Sequence, residues 1–107
     1  MKSTEISLII HSTLAMSFNQ QGSIYIDTNI DWDNFEIIAN YLVQTIDATI
    51  ENKQIGADLH RWQLDFEGVR LYLTFEATSE SLWLELDRKQ DQDTLDFITT
   101  LIEKNNG

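Results

Sequence analysis

The stretch WQLDFEGVRLYLTFEATSESLWLEL, Trp62 to Leu86, alternates apolar and polar residues and is interrupted only by two turn signals. Side chains along a strand point to opposite faces in turn, so this period of two predicts three antiparallel strands, each with one buried face. Trp62, Leu64 and Phe66 share a face. Glu67-Gly68 turns the chain, Val69, Leu71, Leu73 and Phe75 continue that face, and Leu82, Leu84 and Leu86 complete it after Ala77-Thr78-Ser79-Glu80. Pairing across the turns sets Asp65 opposite Arg70, Gln63 opposite Tyr72, and Thr74 opposite Trp83. A slip of one residue would turn the whole apolar set to solvent, so the register is strongly specified.

At 107 residues the chain has room for one such core, and a single domain over residues 1–107 is expected. Two helices complete it. NIDWDNFE opens the first, with Asp31 or Asp33 as N-cap: Asp31 would staple Ile30 to Phe35, and Asp33 would set Trp32 against Ile37. From there Phe35, Ile38, Ala39, Leu42, Val43 and Ile46 make one apolar stripe, with Ile37 and Tyr41 as a small patch nearly opposite. The helix is expected over about 32–50, fading between Asp47 and Asn52, with Gly56 in a loop before the meander. Asp91 or Asp93 caps the second, over about 92–104, where Leu95, Phe97, Ile98, Leu101 and Ile102 cover one arc.

Residues Glu5 to Phe18 read two ways. Ile6, Leu8 and Ile10 alternate, as do Leu14, Met16 and Phe18, but Ile6, Ile9, Ile10 and Leu14 also fit a helical stripe. The β-branched content favours strand. Asn19 to Gly22 reads as a turn, and a five-residue loop from Phe18 to Ile24 would put the apolar residues of both segments on one face. The fold class is therefore α+β: a two-layer sandwich whose antiparallel sheet comprises the meander (58–87) and the N-terminal strands, with both helices on one face.

ADLHRWQLDFEGVRLYLTFE, SLWLEL, the terminal helix and DWDNF together resemble a family of small, acidic bacterial proteins known as a domain of unknown function. The likeness runs from about Tyr25 to Lys104, excludes the first strands, and brings no catalytic or ligand residue with it. The order helix, three strands, helix is also similar to the middle of small acidic secretion chaperones, in layout alone.

Charge excludes several functions. Lys plus Arg is 7 against 18 Asp plus Glu, a net charge of −11. Nucleic acids and anionic membranes are bound by clustered Lys and Arg, so neither is an expected partner. Without Cys there are no thiolate metal sites or thiol nucleophiles, and no cofactor is implied. The apolar run near the start is interrupted by His11, Ser12 and Thr13 and lacks a cleavage site, so a cytoplasmic setting is expected. Asp27, Asn29, Asp31 and Asp33 imitate a calcium loop, but Trp32 and Ile38 stand where that loop needs Gly and Glu. Capping explains the carboxylates, and no metal site is expected.

Two candidate sites remain. On the outward face of the meander, Arg61, Gln63, Asp65, Arg70, Tyr72, Thr74, Trp83 and Glu85 should meet solvent. Ordinary cross-strand pairing, including an Asp65–Arg70 ion pair, accounts for each alone. Together Arg61, Arg70, Tyr72 and Trp83 suggest a contact surface, because Arg, Tyr and Trp dominate interface hot spots. A non-enzymatic protein-interaction or regulatory module is the first reading, its protein partner unidentified, with a homodimer through this face or an open sheet edge as one form of it. The alternative is a small-ligand or catalytic pocket between sheet and helices near Asp58 and His60, where a carboxylate could orient a base. No nucleophile motif accompanies it, so an enzyme is the less favoured class. An acidic inhibitor or nucleic-acid mimic would need an ordered carboxylate ladder, which is not visible.

Overall fold

Six strands and two helices form the two layers in the computed structural model, which describes residues 15–20 and 22–106. In chain order these are β1 (Ala15–Gln20), β2 (Ser23–Asp27), α1 (Phe35–Ile46), β3 (Thr49–Ile55), β4 (Leu59–Phe66), β5 (Val69–Glu76), β6 (Ser81–Leu86), a 3-10 turn (Lys89–Asp91) and α2 (Gln92–Asn106). The sheet order is β1-β2-β6-β5-β4-β3, with every pairing antiparallel. The expected α+β sandwich is the observed fold, and the meander has the expected register: Asp65 faces Arg70, Gln63 faces Tyr72 and Thr74 faces Trp83.

The core is the inward set. Trp62, Leu64, Phe66, Leu71, Leu73, Phe75, Leu82, Leu84 and Leu86 are all buried, together with Ile24 and Ile26 of β2. The full predicted stripe of α1 packs onto them, as do Leu95, Ile98 and Ile102 of α2. Val69 is half-buried at the turn. Phe97, expected in the buried arc of α2, is 52% exposed and only flanks Phe66, 6.2 Å between ring centres.

Four local features differ from expectation. First, α1 is shorter than 32–50. Asp47 adopts the left-handed conformation (φ 59, ψ 43), and the N–H groups of Asp47 and Ala48 donate back to the carbonyls of Gln44 and Val43. That pattern is a Schellman stop, and a carboxylate residue occupies the position glycine usually takes.

Second, the residues beyond it form β3, an edge strand not anticipated as one. All but Ile50 in it are exposed, so it lacks the alternation that marks a half-buried strand. Third, the start of α1 uses Asp31 without making it the residue next to the helix. Asp31 Oδ1 accepts from the Asn34 N–H and Asn34 Oδ1 accepts from the Asp31 N–H, both at 2.8 Å, closing the turn that leads into Phe35. Asp33 makes no such cap, and Trp32 packs on His60, 4.0 Å between ring centres.

Fourth, the β1–β2 hairpin is tighter than a five-residue loop. Gln20 pairs with Ser23 and Phe18 with Tyr25, not with Ile24, and a bulge separates Met16 from Phe18. Gly22 enables the turn with φ +88, its N–H donating to Gln92 Oε1 at 2.7 Å and its carbonyl accepting from Leu86. The turn is thereby tied to the start of α2. The readings at Ile6, Leu8, Ile10 and His11 lie outside the described residues.

Candidate functional site

Both helices of the described residues lie on one side of the sheet, so the other side carries the outward residues of β2, β6, β5 and β4 with no helix above them among the described residues. Period-two alternation sends Arg61, Tyr72, Trp83, Glu85 and Tyr25 there, and strand pairing makes them neighbours. Arg61 is the hub. Its guanidinium carbon stands 4.2 Å from the centre of the Tyr72 ring, its Nη1 donates to Thr74 Oγ1 at 3.3 Å, and its Nη2 donates to Glu85 Oε2 at 3.5 Å. The other Glu85 oxygen accepts from the Trp83 indole N–H. Trp83 stacks on Tyr25 directly across the β2–β6 pair, ring centres 5.7 Å apart. The chain of contacts Tyr25, Trp83, Glu85, Arg61, Tyr72 therefore spans four strands.

Thr74, expected at the surface, is 1% exposed beneath Arg61. Arg70 makes none of these contacts. The Asp65 carboxylate facing it accepts from the Gly68 N–H at 3.3 Å and makes no ion pair with it, because the tight Glu67-Gly68 turn offers a nearer donor. Arg70 instead lines an open polar cavity of about 370 Å³ with Arg88 and the carboxylates of Glu51, Asp65, Asp87 and Asp91. Tyr72 reaches toward the same end, its hydroxyl donating to Asp87 Oδ1 at 3.3 Å. Of the four predicted surface residues, Arg61, Tyr72 and Trp83 are thus one cluster and Arg70 borders it.

The second candidate lies on the helix side, at the far edge of the sheet. His60 is held between aromatic rings, 4.0 Å from Trp32 and 4.5 Å from Phe35, the latter nearly parallel. Its Nε2 is buried without a hydrogen-bond partner among the described residues. Burial lowers the His60 pKa from the usual histidine value, and the nearby Glu36 carboxylate offsets part of that shift. With Phe35, Glu36, Lys53, Ile55 and Trp62 it lines an apolar groove of about 240 Å³. The Lys53 amine sits 4.3 Å above the Trp62 ring and 3.4 Å from Glu36 Oε2. Asp58 is exposed and is not part of this groove; its backbone carbonyl accepts from Ala77. The carboxylate that acts on His60 is therefore Glu36 and not Asp58.

Sequence reading missed Tyr25, Lys53 and Trp32 as members of these sites. Tyr25 was legible as outward by alternation with Ile24 and Ile26, but its partner depends on β2 lying beside β6. Among the described residues, no group of three or more His, Asp or Glu side chains is placed to hold a metal ion. No helix among them is long and apolar enough to cross a membrane.

These features define a small two-layer α+β protein with a charged aromatic cluster on the sheet face that no described helix covers. A family described as a protein of unknown function (DUF3630) matches residues 13–103, and the chain belongs to that family. The match begins before Tyr25 and so includes β1, which the sequence resemblance left out. No curated protein and no solved structure matches the chain.

Proposed function

We propose that the chain is a non-enzymatic protein-interaction or regulatory module of the cytoplasm, and that its contact surface is the open sheet face around Arg61, Arg70, Tyr72 and Trp83. The observation that carries this reading is the half-buried Trp83–Tyr25 stack adjoining the Arg61–Tyr72 pair on the side that holds no helix among the described residues. Arg, Tyr and Trp are the types enriched among the few residues that carry most of the energy of an interface, and side chains already ordered by hydrogen bonds lose little entropy on docking. The net charge of −11 steers basic protein surfaces toward the molecule and repels nucleic acid and anionic membranes.

The test is the double change Trp83→Ala with Tyr72→Ala, followed by quantitative affinity capture from native extract. Circular dichroism verifies that both proteins are folded. Loss of specific captured proteins supports the reading. Capture of the same proteins at the same levels by the folded double variant overturns it.

A second reading rests on a different observation, the groove beside His60. Its apolar walls and a buried imidazole nitrogen without a partner among the described residues suit a small apolar ligand with one hydrogen-bonding group. Titration of the His60 ring signals against metabolites by NMR separates the two: shifts confined to His60 and Trp62 favour the groove, and an unresponsive ring removes it.

A further inference from the structure

Among the described residues β3 ends the sheet, so one side of its backbone has no neighbouring strand there. Which groups point there follows from the hairpin. The Gly56 N–H donates to the Leu59 carbonyl at 2.8 Å, which aims Gly56 at β4. Direction alternates along an antiparallel ladder, so Gln54 also faces β4, and Lys53 and Ile55 aim their N–H and C=O groups away from the sheet. The side chains of Lys53 and Ile55 rise on the helix side, opposite Trp62 and His60. Ile55 is 68% exposed, more than Ile37 or Phe97, and stands at the rim of the apolar groove.

We propose that a second copy of this chain pairs with β3 edge to edge, in the antiparallel register centred on Gln54. In that register Lys53 faces the partner's Ile55, and Ile55 faces the partner's Lys53. Both are positions whose backbone groups point outward, so each pair exchanges two hydrogen bonds. The partner's Ile55 is carried over Lys53 to the groove of Phe35, His60 and Trp62, and the arrangement is reciprocal, as a two-fold interface requires. Other registers are poorer. Centring on Lys53 opposes two ammonium groups and brings Ile55 onto the bulge at Glu51, and centring on Ile55 matches Lys53 with Ala57, beyond the strand end.

Charge selects the same segment. Residues 52–57, NKQIGA, hold no carboxylate in a chain with 18 of them. Two copies can therefore meet here without the repulsion that a net charge of −11 imposes elsewhere. A lysine often guards an edge strand against pairing. Lys53 is instead drawn back onto its own molecule by Glu36 and the Trp62 ring, forming a neutral pair that leaves the backbone open. The two-fold axis stands perpendicular to the sheet, so both Arg61–Trp83 clusters end on one side of the dimer.

Because the chain has no cysteine, a single introduced thiol reports the register. Gln54 would face its own copy at a position without mutual hydrogen bonds, where Cα atoms lie about 4.5 Å apart, within the range a disulfide spans. Gln54→Cys is expected to cross-link under mild oxidant at least about tenfold faster than Asn52→Cys, whose copy lies several residues out of register. Light scattering is expected to give the mass of a dimer for the unmodified chain. Ile55→Lys, which removes the apolar side chain from the partner's groove and opposes Lys53 with a like charge, should weaken the dimer at least about tenfold, and Ile55→Leu, which keeps an apolar side chain for the groove, should retain it. Ile55 is exposed, so all variants are expected to fold, as circular dichroism verifies. A strict monomer at high micromolar concentration, equal cross-linking at the two cysteine positions, or equal loss of the dimer in the two Ile55 variants would overturn the proposal.

Discussion

The guanidinium of Arg61 covers the ring of Tyr72 at 4.2 Å, from the strand next to it, and shields the buried hydroxyl of Thr74 beneath. One side chain thus satisfies a buried polar atom, pairs with Glu85 and fixes the orientation of an aromatic ring. Arg61→Ala removes all three contacts and is expected to lower stability by about 1–2 kcal/mol. Arg61→Lys keeps the charge but not the planar contact and should fall between. Urea unfolding followed by tryptophan fluorescence measures both.

His60 makes stability depend on pH. Its pKa in the folded protein is lowered, chiefly by burial, so between that value and the ordinary one the unfolded chain binds more protons. Stability contributed by neutral His60 is therefore full above the ordinary histidine pKa and declines as pH falls through this window, levelling off below the lowered value. The difference in unfolding free energy between the unmodified protein and His60→Gln should shrink from about pH 7.5 to about pH 5. A His60 ring that titrates at or above the ordinary value by NMR would contradict this.

Two phenylalanines from the predicted helix stripes should behave oppositely. Phe35 is 1% exposed and touches Trp62, Phe75 and His60, so Phe35→Ala is expected to cost about 3–5 kcal/mol. Phe97 is 52% exposed, and Phe97→Ala should cost about 1 kcal/mol or less. Thermal unfolding of the pair tests the assignment of the α2 face.

The turn between β4 and β5 carries strain that can be relieved. Glu67 and Gly68 both have positive φ, 51 and 88, as a two-residue hairpin of type I′ requires. Asn tolerates that conformation far better than Glu, so Glu67→Asn is expected to raise stability by about 0.5–1 kcal/mol. A higher urea midpoint with an unchanged slope is the expected signature.

The elements that sequence reading recovered are those whose evidence is local. The meander declared its register through ten alternating apolar residues and two turns, and Asp65, Gln63 and Thr74 meet the partners that reading assigned. The stripe of α1 was legible for the same reason, since one period repeats over three turns of helix. β3 was not legible, because an edge strand with nearly all its side chains in solvent has no alternation to read. The end of α1 was hidden too: nothing in Asp47 alone says that it will take a left-handed conformation that glycine normally fills.

Outward and inward assignments of the strand residues belong to the chain's own pattern, since burying the other face would expose every large apolar side chain in it. Which strands stand side by side is a different matter. Backbone hydrogen bonds are the same for any pair of strands and carry no residue code. β3 lies beyond β4 through the short turn at residues 56–58, whereas β2 comes beside β6 across a long stretch of chain, where Gln92 of α2 ties down the turn at Gly22. That long-range choice turned scattered outward residues into one cluster, Tyr25 against Trp83 and Arg61 against Tyr72. It also left β3, with Lys53 and Ile55, at the open edge.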